Sequence, residues 1–92
     1  MKVHELKSDP DLFGDVASGR KCFEVRENDR DYEAGDYLYL RETVFTGNMM
    51  KHCQAGLRYT GKNALVKVVY IMHGPKHGLL EGWCIMGIKM AE

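Results

Sequence analysis

Three side chains with strong chemistry fall close together in this chain. Lys21, Glu24 and Arg26 lie in the run Gly19-Arg20-Lys21-Cys22-Phe23-Glu24-Val25-Arg26, and Glu27-Asn28-Asp29-Arg30 follows at once. Arg26 offers a planar donor fork suited to a phosphate, a carboxylate or a base edge. Glu24 sits two residues away on the same strand face, about 7 Å along a strand. It can orient Arg26 or accept from an amino group on a base. Lys21 begins the strand, where strict alternation breaks down and its side chain can reach back. The run reads as a buried strand, and unpaired charge in such a place is costly. Two explanations compete: a structural ion-pair network among Glu24, Arg26, Asp29 and Arg30, or a ligand.

The elements that must position these residues follow from pattern. Lys2 to Lys7 alternates as a short strand with His4 and Leu6 on one face. Ser8-Asp9-Pro10-Asp11 is a helix start: Ser8 or Asp9 can cap, and Pro10 suits the first turn. Leu12, Phe13, Val16 and Ala17 recur at helical spacing, and Gly19 is a natural stop. Cys22 to Glu27 is the next strand, with Phe23 and Val25 facing one way and Cys22, Glu24 and Arg26 the other. Asn28 to Gly35 is a polar connection. Tyr37 to Phe45 is β-rich, with Leu38 and Leu40 on one face. Thr46 to Gly56 is expected to be an irregular loop. Gly61-Lys62-Asn63 is a turn signal before Ala64 to Met72, the strongest strand. Gly82 to Met90 closes the set, with Cys84, Met86 and Ile88 on one face. The order is α+β. Five short strands in so small a chain favour a curled, barrel-like sheet with the helix plugging one end, since closure removes exposed edges.

Composition bounds the rest. Ninety-two residues make one domain. No apolar run nears the roughly 20 residues of a spanning helix, and no leader pattern opens the chain, so no membrane role and a cytoplasmic location are expected. Net charge is zero, with 13 basic and 13 acidic residues, so a strongly basic nucleic-acid binder is not implied. The charge is uneven, however: residues 1–36 hold 10 acids and 6 bases, and residues 37–92 hold 3 acids and 7 bases. Cys22, Cys53 and Cys84 form no disulfide framework, and Cys22 and Cys84 are expected to pack as small hydrophobes. His73-x3-His77, with His52-Cys53 upstream, is a loop spacing looser than zinc sites use, so no metal is expected. No Walker, Rossmann or Gly-x-Ser-x-Gly motif is present, and no cofactor is implied. Trp83 and the five tyrosines are candidates for stacking on bases.

Gly19-x-Lys21-x-x-Glu24-x-Arg26 resembles the Gly-x-Lys-x-x-Glu-x-Arg signature of the ASCH domains, relatives of the PUA fold. His4-Glu5-Leu6-Lys7, Tyr59-Thr60-Gly61-Lys62, Val68-Val69-Tyr70-Ile71 and the Gly78 to Ile88 tail extend the likeness to a small ASCH-like family of phages and bacteria. Thr43 to Leu57 matches no motif of that family. The resemblance implies a PUA-like β-barrel of about five strands, with a cleft beside the helix that takes RNA or a nucleotide.

On that reading Lys21 and Arg26 contact phosphate or a base edge, and Glu24 orients Arg26 or reads an amino group. Asn28 and Arg30 extend the site, and His4 lines it from the first strand. The expected partner is RNA or a nucleotide, and the expected state is a monomer. Some ASCH-like proteins are amidohydrolases on modified cytidines that use a lysine, a threonine nucleophile and a glutamate. Lys21 keeps the lysine position, but Glu24 stands where the threonine would be, and a carboxylate does not replace a hydroxyl in that step. A nucleoside amidohydrolase is therefore the second reading. A phage-type accessory protein that contacts another protein through the Met49-Met50 loop is the third.

Overall fold

In the computed structural model, which describes residues 1–91, alternation sets the inner face of each strand. In β1 (Val3–Ser8), His4, Leu6 and Ser8 are buried, and Val3, Glu5 and Lys7 are exposed. In β3 (Tyr37–Thr43), Leu38 and Leu40 are fully buried between outward tyrosines. β4 (Tyr59–His73) buries Ala64, Val66 and Val68, and β5 (Trp83–Met90) buries Cys84, Met86 and Ile88. The apolar side chains among these form one core with Phe13 and Val16 from the helix α1 (Pro10–Ala17).

The fifth strand, β2 (Phe23–Glu27), completes a single sheet in the order β1-β3-β4-β5-β2. β1 and β3 are parallel, and the other neighbours are antiparallel. The α+β class, the five strands and the helix after the first strand match the pattern expected from sequence. The sheet curls into a half-barrel. β1 and β2 are its two edges, and no backbone ladder joins them. Register shifts between Arg41 and Thr43 and between Val68 and Tyr70 accompany the curl, as bulges bend and twist a strand.

Several expectations need correction. β2 is an edge strand, and its charged face is the inner one. Glu24 is 6% exposed, whereas Phe23 and Val25 are 44% and 41% exposed. Cys84 is buried as expected, but Cys22 is exposed; its thiol donates to the Gly19 carbonyl at 3.2 Å. Thr46 to Gly56 is not wholly irregular, because it contains α2 (Gly47–His52). Thr46 caps α2 by accepting from Met49 N at 3.1 Å, and Asp9 Oδ1 accepts from Gly47 N at 2.9 Å. Six residues with none buried leave no apolar stripe to read. The turn expected at Gly61 is absorbed into β4, where a positive φ of 95° suits glycine.

Asp9 stands at the N-cap of α1 without using its side chain there, which it spends on α2. At the other end Gly19, at φ 83°, donates its N–H to the Val16 carbonyl at 3.0 Å and turns the chain. Lys21 N then donates to Asp15 O at 2.8 Å. This turn delivers Lys21 to the start of β2.

Candidate functional site

The charged strand is organised around the Glu24 carboxylate. Lys21 Nζ donates to Glu24 Oε2 at 2.9 Å and to the Phe23 carbonyl at 2.8 Å. Its ammonium also lies 4.8 Å from the Phe23 ring centre. An Arg26 Nη lies 3.5 Å from the second carboxylate oxygen. Glu24 is the most buried of the three side chains, at 8% exposure against 15% for Lys21 and 26% for Arg26. A carboxylate this deep is tolerated because cations stand at both of its oxygens.

Arg26 also makes a longer-range contact: its guanidinium donates to the Lys7 carbonyl at 2.9 Å. Arg30 does the same to the Glu5 carbonyl at 2.9 Å. Lys2 O accepts from Tyr37 N, so the even-numbered backbone groups of β1 point to β3. The carbonyls of Glu5 and Lys7 therefore point to the open edge. Two guanidinium groups occupy acceptors that a neighbouring strand would otherwise take.

The gap between those edges is a cleft of about 620 Å³. Glu24 and Arg26 form part of its wall, Arg30 joins them from the loop after β2, and Leu12 borders it from α1. Tyr32, Tyr59 and Trp83 supply aromatic surface. Five of the lining side chains are carboxylates and three are cations. Acids thus outnumber bases, and two of the cations are already engaged with β1.

The remaining candidates lie elsewhere. Lys21 stands outside the cleft, beside a shallower hollow shared with Asp15, Arg20 and Phe23. Asn28 braces the loop: its Oδ1 accepts from Tyr32 N at 3.0 Å, and its side-chain nitrogen lies 3.5 Å from His73 Nδ1. His4 is buried beneath the cleft, with Nε2 2.9 Å from Asp36 Oδ2 and its ring edge-on to Tyr32 at 4.8 Å. It is not among the cleft-lining residues.

Sequence reading passed over Asp36 as a site residue and did not single out Tyr32 among the five tyrosines. Asp36 accepts from Lys2 N at 3.0 Å, from Glu33 N at 3.0 Å and from the His4 ring. Burial by itself would raise its carboxyl, but the hydrogen bonds from His4, Lys2 and Glu33 outweigh burial and hold it below the usual carboxylate range. An ionised carboxylate only accepts, so His4 Nε2 carries the proton of the shared bond. Burial pushes the Tyr32 hydroxyl up, and Arg26 opposes that shift. Both residues sit in a stretch with no periodicity, so only long-range contacts reveal them.

Among the described residues, no three metal-ligating side chains converge. No described helix is long and apolar enough to cross a membrane.

Residues 3–88 match the family described as "Domain of unknown function (DUF3850)". The chain belongs to that family. The DUF3850 match spans all five strands and both helices up to the last two residues of β5. A relative in Escherichia phage P2, the "Uncharacterized 12.9 kDa protein in GpA 3'region", is 43% identical over 53 residues. That similarity covers 54% of this DUF3850 chain and 49% of the phage protein, so the chain spans about half the length of the curated relative it matches.

Proposed function

We propose that this domain binds RNA or a nucleotide through the cleft between β1 and β2, with an unpaired base as the part that enters. The observation that carries the reading is Glu24: a carboxylate 6% exposed, at the wall of an open cleft, with Lys21 and Arg26 at its two oxygens. A carboxylate accepts from the amino group of a base, and an adjacent guanidinium donates to ring nitrogens and carbonyls. Paired, they offer a donor and an acceptor side by side. Tyr59 and Trp83 offer faces or edges to a flat ring.

The charge balance favours the base over the phosphate as the buried part. Acids outnumber bases along the cleft, and Arg26 and Arg30 donate to β1 carbonyls. Lys21 acts as a positioning residue behind Glu24. The ASCH-like signature at Gly19, Lys21, Glu24 and Arg26 supports the same site. A base is available to such a cleft only when unpaired or flipped out of a duplex.

The test is an NMR titration with nucleosides, nucleotides and short RNAs. Shifts clustered at Glu24, Arg26 and Arg30 are expected, and Arg26→Ala should weaken them while the chain stays folded. If none of these ligands moves an amide in that group, the reading is sunk. Release of an acid from an acylated nucleoside, lost with Lys21→Ala, would replace binding with hydrolysis.

A further inference from the structure

The outer face of the sheet carries an arrangement that the cleft does not use. Phe23, Gly87 and Tyr70 stand directly cross-strand in one row of β2, β5 and β4. Phe23 is 44% exposed and Tyr70 is 64% exposed. The glycine between them leaves a notch with an aromatic side chain on each side. Adjacent strands lie about 4.8 Å apart, so each flanking ring is rooted about that far from the notch. Stacked rings favour centroid separations of about 4.5–7 Å, so the notch suits one flat ring between two others.

Neither backbone nor packing demands glycine at this point. Gly87 lies outside the left-handed region. An added Cβ would meet Tyr70 Cβ at 3.5 Å and Val69 Cγ2 at 3.7 Å, which are ordinary contacts. Glycine inside a strand otherwise weakens it, and it marks a bulge or the close approach of a ligand. Gly87 does face the register shift between Val68 and Tyr70, but the room for a Cβ shows that the shift alone does not require glycine there.

On the β4 and β5 side of the notch the charge has one sign. Lys67 and Lys89 are direct cross-strand partners on β4 and β5, and Lys89 is two residues along the same face from Gly87. Like charges directly opposite each other are destabilising. Neither lysine forms an ion pair among the described residues. Tyr37 is the partner of Lys67 on its other side. Cations that find no counter-charge among the described residues, set one row from an aromatic notch, complement a chain of phosphates carrying flat bases.

We propose that this outer face binds single-stranded nucleic acid, with one base between Phe23 and Tyr70 over Gly87 and the backbone phosphates on Lys67 and Lys89. The notch is on the other side of β2 from the Glu24 carboxylate, because Phe23 and Glu24 are neighbours on opposite faces of that strand, and Lys21 touches both. The outer site stands whether or not the cleft takes a base.

Fluorescence anisotropy with labelled oligouridylate and oligothymidylate tests the idea and separates RNA from DNA. Gly87→Val fills the notch with a side chain that strands favour. It should stay folded by circular dichroism and bind about tenfold more weakly, the order of one lost stack. Lys67→Ala with Lys89→Ala should reduce the slope of log affinity against log salt by about 1.4, or roughly 0.7 per phosphate contact. Absence of binding by the wild type to both oligomers overturns the proposal, and so does affinity unchanged in both variants. A wild-type dimer in sedimentation that Gly87→Val converts to monomer would assign the face to a second copy instead. Amide shifts at Arg30 and Tyr32, which line the cleft and are remote from Phe23 in the chain, report the cleft, so the two sites fail separately.

Discussion

Arg26 on β2 donates to the carbonyl of Lys7 on β1 at 2.9 Å, tying two sheet edges that share no backbone ladder. Arg30 repeats the contact two residues away, at Glu5. A closed barrel would bring β1 and β2 to about 4.8 Å and leave no opening there. Long side chains hold the edges apart instead, and the space between them is the cleft. The same guanidinium lies 3.5 Å from Glu24, so the seam and the candidate site share a residue.

That sharing predicts how Arg26→Ala behaves. It removes a charge-assisted hydrogen bond to a backbone carbonyl, worth about 1.5–3 kcal/mol. Domains of this size hold about 5–15 kcal/mol, so the variant should remain folded with a lower urea midpoint. Arg26→Lys should recover only part of the loss, because an ammonium cannot present the same fork. Unchanged stability in Arg26→Ala would mean that the contact with Lys7 holds nothing together.

Glu24 should be more costly to lose than either of its cations. Glu24→Ala leaves the Lys21 ammonium, in a side chain 15% exposed, without its carboxylate. A loss of about 2–4 kcal/mol is expected, below the full cost of breaking a wholly buried pair because Lys21 and Arg26 keep some solvent. Glu24→Gln should cost less, since the amide oxygen still accepts. A double-mutant cycle with Lys21→Ala should give a coupling of about 0.5–3 kcal/mol. Strict additivity would contradict the geometry.

Asp36 sets an acid limit. Its folded carboxyl lies below the ordinary value, so its stabilisation is complete above the unfolded value near about 3.9. It is lost as pH falls through the lower, folded value. Asp36→Asn should destabilise the domain by about 2–4 kcal/mol at neutral pH, since His4, Lys2 N and Glu33 N lose a charged acceptor. The gap between wild type and variant should be flat above about pH 5 and shrink below about pH 4. Denaturant unfolding across that range checks it, and a gap that widens on acidification would refute the assignment.

Leu38 tests the core. It is fully buried in the second strand of the sheet, opposite His4 on β1 and Val66 on β4. Leu38→Ala should cost about 2–5 kcal/mol, the range for a large-to-small change that leaves a cavity. A thermal melt within a degree or two of wild type would show that the neighbours collapse into the space.

Local pattern made much of the fold legible. Leu38 and Leu40, Val66 and Val68, and Cys84, Met86 and Ile88 alternate, and each set turned out to face the core. Pro10, the Phe13–Val16 pair and Gly19 bounded the first helix, because caps and turns are local chemistry. The grouping of Lys21, Glu24 and Arg26 was legible for the same reason, as they lie within six residues. Alternation in β2 separated Phe23 and Val25 from Glu24 and Arg26 but did not say which side faced inward. Phe23 and Val25 are the apolar pair, yet the strand turns them outward and buries Glu24. The α2 helix escaped notice because it buries nothing.

By itself, then, the sequence determined the strands, the first helix, the inner face of the central sheet and a knot of charge at Gly19 to Arg26. Alternation says which side chains share a face. It does not say which strands become neighbours or which become edges. Only the tertiary structure decided that β2 and β1 end the sheet, so that Arg26 meets Lys7 and Arg30 meets Glu5 across a cleft. It also brought Asp36 under His4 and placed Gly87 between Phe23 and Tyr70. These contacts join residues far apart in the chain. Their energy comes from burying the whole sheet around one core, a sum that no local window contains.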